Sequence, residues 1–438
     1  MSLPIPTLSL DELQEKDASD LVTPGIMGYS AASWVDAHRK LGPLFKIKEL
    51  GSIALCGNDM SKLMWSQPEL WSYSQTPLGE AFISQLGEGY ITASDGDYHL
   101  RQRRLMRPYF AGESIQRHYP VIEVLLQEGL AQITGDDIDL HLELIYLFTL
   151  LLNRTMVVTD ASWEQVKEFA QFEEEFIRGA QLRGQNRQDW YQRPQYQQLK
   201  SRVFGYFTAL VKRRLDGETM EDNLDDLIAA MNNKEGKASL PELVRDAYLM
   251  QAGGAGNIAS LICSLLWALD QQPHWRTQVA NELRDFDPAT LAKKGMNGLK
   301  ATRAVILETE RLFPTTSLLP KRATCDIDLM DYRIPKNTDV LHIFGLSHFL
   351  EEEYEQPYEF MPQRWLEGKP SRPNAFGGGV HTCIGMNLSY LYMLFFLKAL
   401  LPNYSLQVQT PPYLKNLSED NRFVATSTAF DVFLNKVP

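Results

Sequence analysis

The sequence predicts a mainly helical protein with small β-sheets. Apolar residues recur at helical spacing through most of residues 60–310, and a strongly apolar stretch of helical length spans 383–401. Short alternating or β-branched runs occur near 44–56, 318–345 and 404–436, which is typical of strands. The chain has 438 residues, of which 44% are hydrophobic and 22% charged, so its composition is that of an ordinary globular protein.

We assign residues 1–438 to a single domain, and local signals predict its elements in chain order. Residues 44–56 alternate in polarity and turn at Gly51, which indicates a β-hairpin. Ser239 can cap a helix whose first turn contains Pro241. The C-terminal run F-V-A-T-S-T-A-F-D-V-F-L has strand character.

Charge and terminal composition limit the classes of partner. The net charge is −12 and the isoelectric point about 5.3, which argues against a nucleic-acid or anionic-membrane binder. The N-terminal residues include acids and lack the basic and apolar regions of a leader peptide. The longest apolar run, 390–401, is shorter than the ~20 residues of a membrane span. We expect a soluble, cytoplasmic protein.

The chain has four cysteines, which are too few for a disulfide scaffold of this length. They form no C-x-x-C pair, which disfavours a zinc ribbon. We expect Cys56, Cys263 and Cys325 to be buried thiols. Cys383 lies in a different setting.

Cys383 belongs to the run F-G-G-G-V-H-T-C-I-G at residues 376–385 and directly precedes the apolar helix. The dipole and free N–H groups of a helix N-terminus stabilise a thiolate. The glycines let the backbone approach something large and flat, and Phe376 can cover the sulfur. A thiolate presented in this way suits a soft metal such as haem iron. Taken alone, the run fits equally well a buried cysteine after a flexible loop.

Two further motifs precede this run. In E-T-E-R, Glu308 and Arg311 are three residues apart and share one helix face. In F-M-P-Q-R-W, Arg364 lies on a loop bounded by proline. Two arginines and one glutamate can satisfy each other as a charge network. A lone E-x-x-R is usually a solvated helix face, so the order of the three motifs within about eighty residues carries the argument.

That order resembles the cytochrome P450 family of haem-thiolate enzymes, and the resemblance covers nearly the whole chain. D-G-D-Y-H-L-R-Q-R-R, from Asp95, resembles the helix that meets the haem propionates, with His99 and Arg103 one turn apart. Lys321 and His381 fall where the family has further propionate partners.

The resemblance implies a haem b cofactor lying between a long central helix and the cysteine loop. Cys383 is then the axial iron ligand, and Glu308, Arg311 and Arg364 form a structural triad behind the haem. The sequence has no flavin or nicotinamide fingerprint, so electrons are expected from a ferredoxin and its reductase. The resemblance also implies a monomer of the soluble bacterial type, with a role in secondary metabolism.

The expected central helix contains M-Q-A-G-G-A-G-N-I-A-S-L-I, which departs from the family pattern. Family members place an acid and then an alcohol here, and these groups help deliver protons for cleavage of the O–O bond. Spacing from Pro273 places Gly256 at the acid position and Asn257 at the alcohol position. Between Asp246 and Asp270 there is no Asp, Glu or Thr. Ser260, one turn further on, is off the usual position.

Three functions remain open at this point. The first is an oxygen-activating monooxygenase in which Asn257 or the substrate replaces the missing groups. The second is an enzyme that uses peroxide, rearranges a hydroperoxide or couples radicals without oxygen insertion. The third is a haem-binding recruitment or sensor module without turnover. No arginine lies between Arg245 and Arg276, which disfavours the peroxide-using fatty-acid subtype.

Family position also suggests a substrate pocket for a hydrophobic or aromatic small molecule. Each candidate also fits ordinary core or loop packing. The candidates are Phe82, Ile83, Leu86, Ile91, Gly253, Thr315, Thr316 and Leu318.

Overall fold

A computed structural model gives the architecture of most of the chain. It describes residues 3–13, 25–27, 29–110, 112–133, 135–234, 239–288, 295–368, 370–408 and 430–436.

Helices make up most of the described chain, as the sequence predicts. In chain order they are α1 (Ala31–Leu41), α2 (Asn58–Ser66), α3 (Pro77–Leu86), α4 (Gly96–Met106), α5 (Gly112–Gln116), α6 (Tyr119–Gln132), α7 (Leu140–Thr155), α8 (Trp163–Gln181), α9 (Gly184–Gln192), α10 (Pro194–Leu215), α11 (Asn223–Lys234), α12 (Leu240–Gln251), α13 (Ala255–Gln271), α14 (Pro273–Arg284), α15 (Lys300–Leu312), α16 (Arg364–Glu367) and α17 (Met386–Leu400).

The strands form small sheets at the periphery of the helical body. They are β1 (Thr7–Leu8), β2 (Gly25–Ile26), β3 (Tyr29–Ser30), β4 (Leu44–Ile47), β5 (Ser52–Cys56), β6 (Trp71–Ser72), β7 (Gly135–Asp139), β8 (Leu319–Ala323), β9 (Ile327–Leu329), β10 (Tyr332–Ile334), β11 (Asp339–Ile343), β12 (Tyr404–Val408) and β13 (Asp431–Lys436). The largest sheet has the order β1-β4-β5-β11-β8-β6, and a three-stranded sheet has the order β12-β13-β7.

The predicted hairpin is present as β4 and β5, which pair antiparallel with Leu44 opposite Leu55. Gly51 has a φ of +65°, which glycine adopts without steric cost. The short strands β6 and β7 lie within residues 60–310, where the sequence predicts mostly helix. The C-terminal strand prediction is met by β12 and β13, while residues 409–429 lie outside the described residues.

Helix α12 begins as its sequence predicts. The Ser239 hydroxyl accepts from the N–H of Glu242, and the Glu242 carboxylate accepts from the Ser239 N–H at 2.8 Å. This reciprocal arrangement is a capping box, and Pro241 occupies the first turn, where its missing N–H costs nothing.

The expected single central helix is in fact two helices. Helix α12 ends at Gln251 and α13 begins at Ala255, with Gly253 between them at a φ of +81°. A left-handed residue cannot continue a right-handed helix, so the glycine-rich run breaks the helix instead of only weakening it. Among the described residues, Leu240–Gln271 is the stretch whose length and hydropathy match a membrane span, and 67% of its apolar window is buried inside the protein.

Candidate active site

The loop before α17 is shaped by its glycines and by Trp65 of α2. The N–H of Cys383 donates to Phe376 O at 2.9 Å and closes the loop. A Cβ at Gly378 would lie 2.5 Å from the Trp65 ring, which real Cβ atoms do not tolerate. Gly377 and Gly379 have φ values of +68° and +63°. The three glycines are therefore needed for close packing and for the path of the backbone.

The Cys383 side chain faces the interior cavity from the end of this loop. Burial raises the pKa of its thiol, while the N–H groups of Gly385 and Met386 and the charge of Arg103 act in the opposite direction. The surroundings therefore favour the neutral thiol until a metal ion replaces its proton.

A cavity of about 340 Å³ lies above this cysteine. It brings together most of the residues that the sequence nominated. These are Ile91, His99, Arg103, Gly253, Asn257, Thr315, Thr316, Lys321, Phe376, His381 and Cys383.

Four of the lining side chains are bases. The rings of His99 and His381 lie 4.0 Å apart, centroid to centroid, and the ring nitrogens of His99 lie 3.0 Å from Ile91 O and 3.2 Å from Val380 O. Burial lowers the pKa of Lys321 to about 8 and that of His381 to about 3. Burial also lowers the pKa values of His99 and Arg103.

These bases fit the acidic edge of a haem. Within the described ranges, neither Lys321 nor Arg103 makes an ion pair or hydrogen bond through its side chain, although Lys321 Nζ lies over the Tyr73 ring, 5.4 Å from its centroid. Burying a cation without an anionic partner is costly, so the site is suited to receive carboxylates. Haem propionates would supply them while the thiol of Cys383 reaches the iron. Phe376, whose ring meets that of Tyr390 edge-on at 5.4 Å, lies beside the cysteine loop.

The predicted charge triad is formed and buried. Glu308 accepts from Arg311 Nη2 at 2.7 Å and from Arg364 Nε at 3.2 Å. It also accepts from the Met361 N–H at 2.9 Å and the Trp365 indole at 2.8 Å. Glu308 and Arg311 have no exposed side-chain surface, so the network ties α15 to the segment before the cysteine loop.

The helix break lies at the cavity wall, and Asn257 is attached to it. Asn257 Nδ2 donates to Gly253 O at 3.2 Å, which satisfies a carbonyl that the break leaves free. Gly256 is not among the cavity-lining residues, although a Cβ there would meet no atom within 4 Å. Ser260 points away, because its hydroxyl lies 3.0 Å from His141 Nε2 on α7.

Four of the expected pocket residues lie elsewhere. Phe82 packs edge-on against Phe176 at 4.7 Å, and Leu86 is buried in the same helical core. Ile83 packs against that core from α3. Leu318 is buried in a separate cluster beneath the large sheet. These four side chains pack into the hydrophobic core and do not line the cavity. Their predicted place in the substrate pocket is therefore wrong.

The structure also adds residues that the sequence did not single out. Tyr73, Tyr90 and Phe344 line the cavity with several aliphatic side chains. Glu310 lines it as well: its carboxylate oxygens have no hydrogen bond of normal geometry, and burial raises its pKa to about 7. Glu173 of α8 accepts from the Gly253 N–H at 2.7 Å. It stands in a run of three glutamates, so no sequence signal distinguished it.

One cavity is lined by a cysteine, four basic side chains and the break in the central helix. This combination is typical of a haem-thiolate protein. The cytochrome P450 family model matches residues 35–432, and the chain belongs to this family of oxidoreductases.

Its relatives come from bacteria, plants and mammals. Cytochrome P450 136 of Mycobacterium tuberculosis is 27% identical over 214 residues, covering 48% of this chain and 43% of that relative, so the match spans less than half of its length. Taxane 10-beta-hydroxylase of Taxus cuspidata is 23% identical, covering 88% and 80% of the two chains. The cytochrome P450 BJ-4 homolog of Sinorhizobium fredii is 24% identical, covering 80% and 78%.

Solved structures share the fold. Retinoic acid-bound cyanobacterial CYP120A1 has a TM-score of 0.78 at 18% identity, covering 92% of this chain and 94% of that one. CYP109Q5 from Chondromyces apiculatus has a TM-score of 0.73 at 16% identity, covering 99% and 100%. At these identities the likeness concerns the fold alone.

Proposed function

We propose that the protein is a monooxygenase that holds haem b and inserts oxygen into a hydrophobic small molecule. The observation that carries the proposal is the cavity itself, in which Cys383, four bases and an apolar wall converge. We further propose a monomer that works in the cytoplasm in secondary metabolism, by oxidative tailoring of its substrate.

Haem b supplies oxygen activation when it is bound, and the chain supplies the surroundings. Cys383 would hold the iron, while His99, Arg103, Lys321 and His381 would hold the propionates. Each propionate would restore the missing anion beside a buried base, which raises haem affinity.

The upper part of the cavity is suited to an apolar substrate with a few polar groups. Ile91, Leu249 and Ile258 offer aliphatic surface, and Thr315 and Thr316 offer hydroxyl groups. CYP120A1 was solved with retinoic acid bound, and one relative is named a taxane 10-beta-hydroxylase; we take both as support for a mainly hydrophobic substrate with a few polar groups.

One observation favours a second candidate, an oxidation without oxygen insertion. The break and α13 present no Asp, Glu or Thr to the cavity, so the usual acid–alcohol pair is missing. Peroxide use, hydroperoxide rearrangement and oxidative coupling do not need that pair. A haem-binding module without turnover is the third and weakest candidate, because the chain belongs to a family of oxidoreductases.

Product analysis separates these candidates. Haem-loaded protein and a small-molecule extract are incubated with oxygen, NADPH, ferredoxin and reductase, or with hydrogen peroxide alone. A product that gains one oxygen only in the reductase sample supports the monooxygenase. Turnover with peroxide alone, or a product formed by hydrogen loss or coupling, contradicts it in favour of the second candidate.

We expect Asn257→Ala to change the coupling of oxygen consumption to product while haem incorporation stays intact. The substitution leaves Gly253 O without its donor and removes the amide from the cavity wall. We expect the amount of product formed per NADPH to fall about tenfold. This loss is smaller than the usual rate effect of removing a positioned proton-transfer group. The measurement is product and peroxide formed per NADPH. Unchanged rate and product would show that Asn257 is only a packing residue.

A ferredoxin partner would dock near the cysteine side of the protein. Arg104 and Arg107 are exposed on and just after α4, next to Arg103, whose pKa responds to the charge of Cys383. They form a local positive surface on a protein with net charge −12, and acidic redox partners are steered by such surfaces.

We expect Arg104→Glu with Arg107→Glu to slow reduction by ferredoxin roughly tenfold at low salt, with less effect at high salt. The measurement is the rate of haem reduction as ferredoxin concentration varies. Lys46→Glu with Lys48→Glu is the matched control, because it makes the same change in charge on the exposed side of β4. An equal effect of both pairs would contradict docking at α4.

A further inference from the structure

The break between α12 and α13 leaves both backbone groups of Gly253 without helical partners, and side chains take both places. Glu173 of α8 accepts from the Gly253 N–H at 2.7 Å, and Asn257 donates to Gly253 O at 3.2 Å. Gly253 and Asn257 line the cavity. Glu173 is not itself among the residues that line the cavity, so its carboxylate reaches the cavity wall through Gly253, three residues before Gly256 at the acid position of the family pattern.

The surroundings of Glu173 suit an exchangeable proton. Its side chain is partly buried, and burial raises its pKa to about 7, while the Gly253 N–H acts in the opposite direction. The titratable groups that face it are Tyr90, from the segment before α4, and Tyr248 of α12. Among the described residues no cation forms an ion pair with Glu173; Arg193, between α9 and α10, pairs with Glu175 instead.

We propose that Glu173 supplies from α8 the ionisable carboxylate that the central helix lacks, and that it passes protons from solvent to water in the cavity. The inference deepens the monooxygenase proposal and rests on it. Glu173 acts through water and through its hold on the break, so it is a positioning and proton-relay residue.

Atoms and electrons balance in the overall hydroxylation. Substrate, dioxygen, two protons and two electrons give hydroxylated substrate and water. Reduced ferredoxin supplies the electrons, and solvent supplies the protons through Glu173, which takes up a new proton after each transfer. When no substrate is present, the same two electrons and two protons reduce dioxygen to hydrogen peroxide, and two further electrons and protons from the same sources reduce the peroxide to water.

The Glu173→Gln variant distinguishes a role of Glu173 in proton transfer from a purely structural role at the helix break. Glutamine keeps a carbonyl oxygen for the Gly253 N–H but cannot ionise. NADPH-driven oxygen consumption without substrate should fall roughly 100-fold, at the low end of the contribution of positioned proton transfer. In the wild-type protein this rate should fall as pH rises through about 7, where Glu173 loses its proton. In the variant this dependence should be absent.

Two further readouts do not depend on turnover. Infrared difference spectra of the ferric protein should show protonated-carboxyl bands that titrate near neutral pH, to which Glu173 and Glu310 both contribute. Glu173→Gln should remove the Glu173 contribution and leave that of Glu310. The reduced carbon-monoxide spectrum should be unchanged, which shows an intact haem site. Glu174→Gln is the matched control, because Glu174 is the exposed neighbour on the same helix.

The outcomes are distinct. A wild-type rate and pH profile in Glu173→Gln, or an unchanged carboxyl band, would overturn the relay. Loss of activity only in Glu173→Ala, with Glu173→Gln normal, would also overturn it and leave a purely structural role. Normal oxygen consumption with no oxygenated product from any substrate would instead contradict the proposed monooxygenase.

Discussion

Cys383→Ser should lose the strongly red-shifted Soret band of the reduced carbon-monoxide complex and at least about 100-fold of its turnover. The band depends on electron donation from a thiolate, and a serine hydroxyl stays protonated at neutral pH. Loss of an axial ligand should exceed the 10- to 100-fold cost that is typical of the groups around it. The measurement is the absorption spectrum of purified, reduced protein with and without carbon monoxide.

The control for this prediction is Cys325→Ser. Cys325, which the sequence analysis expected to be buried, is in fact exposed in the loop after β8 and does not line the cavity. Its substitution should therefore leave the spectrum and turnover unchanged. Where Cys383→Ser takes up too little haem, Cys383→His offers a neutral ligand and should give a spectrum without the thiolate band. A variant at position 383 that keeps the red-shifted band would show that another residue holds the iron.

The environment of Cys383 explains why one residue has so large an effect. Burial favours the thiol, and the N–H groups of Gly385 and Met386 only partly offset it. Cys383 would hold the iron of a bound haem as a thiolate, and the metal would supply the positive charge that favours loss of the thiol proton. Gly378, where a Cβ would clash with the Trp65 ring, shapes the loop that carries Cys383.

The local motifs could be predicted from sequence because each has its own physical signature. The Ser239 capping box and the Gly51 turn depend on neighbours a few residues away. The prediction of the basic residues around the cavity depended on the family resemblance, and Lys321 and His381 do line the cavity wall. Such elements follow from local chemistry or from an ordered series of motifs.

The remainder could not be predicted because it depends on how distant elements pack. Three glycines were consistent with a weakened helix, and only the fold shows that Gly253 adopts a left-handed conformation and breaks it. Glu173 resembles its neighbours in sequence, and its role depends on the approach of α8 to the break. Phe82 and Leu318 have apolar side chains that suit a pocket or a core equally well, and packing placed them in the core.

Glu308→Ala should destabilise the protein by about 3–5 kcal/mol, the cost of leaving a buried charge without its partner. Arg311 has no exposed side-chain surface and Arg364 very little, and both depend on the Glu308 carboxylate. The Met361 N–H and the Trp365 indole donate to different oxygens of Glu308, so Glu308→Gln keeps an acceptor for only one of them and also removes the charge. Its free energy of unfolding should fall between those of wild type and Glu308→Ala. The measurement is the free energy of unfolding in urea, followed by far-ultraviolet circular dichroism.

A surface pair provides the comparison for Glu308. Glu351 lies 3.2 Å from Arg39, and both side chains are more than half exposed, so Glu351→Ala should cost less than about 1 kcal/mol. Because the triad ties α15 to the segment before the cysteine loop, Glu308→Ala should also lower haem incorporation, whereas Glu351→Ala should not. Equal destabilisation by the two substitutions would mean that the triad contributes no more than a surface ion pair. A larger effect of Glu308→Ala that Arg311→Ala partly relieves in the double variant would locate the cost in the uncompensated arginine.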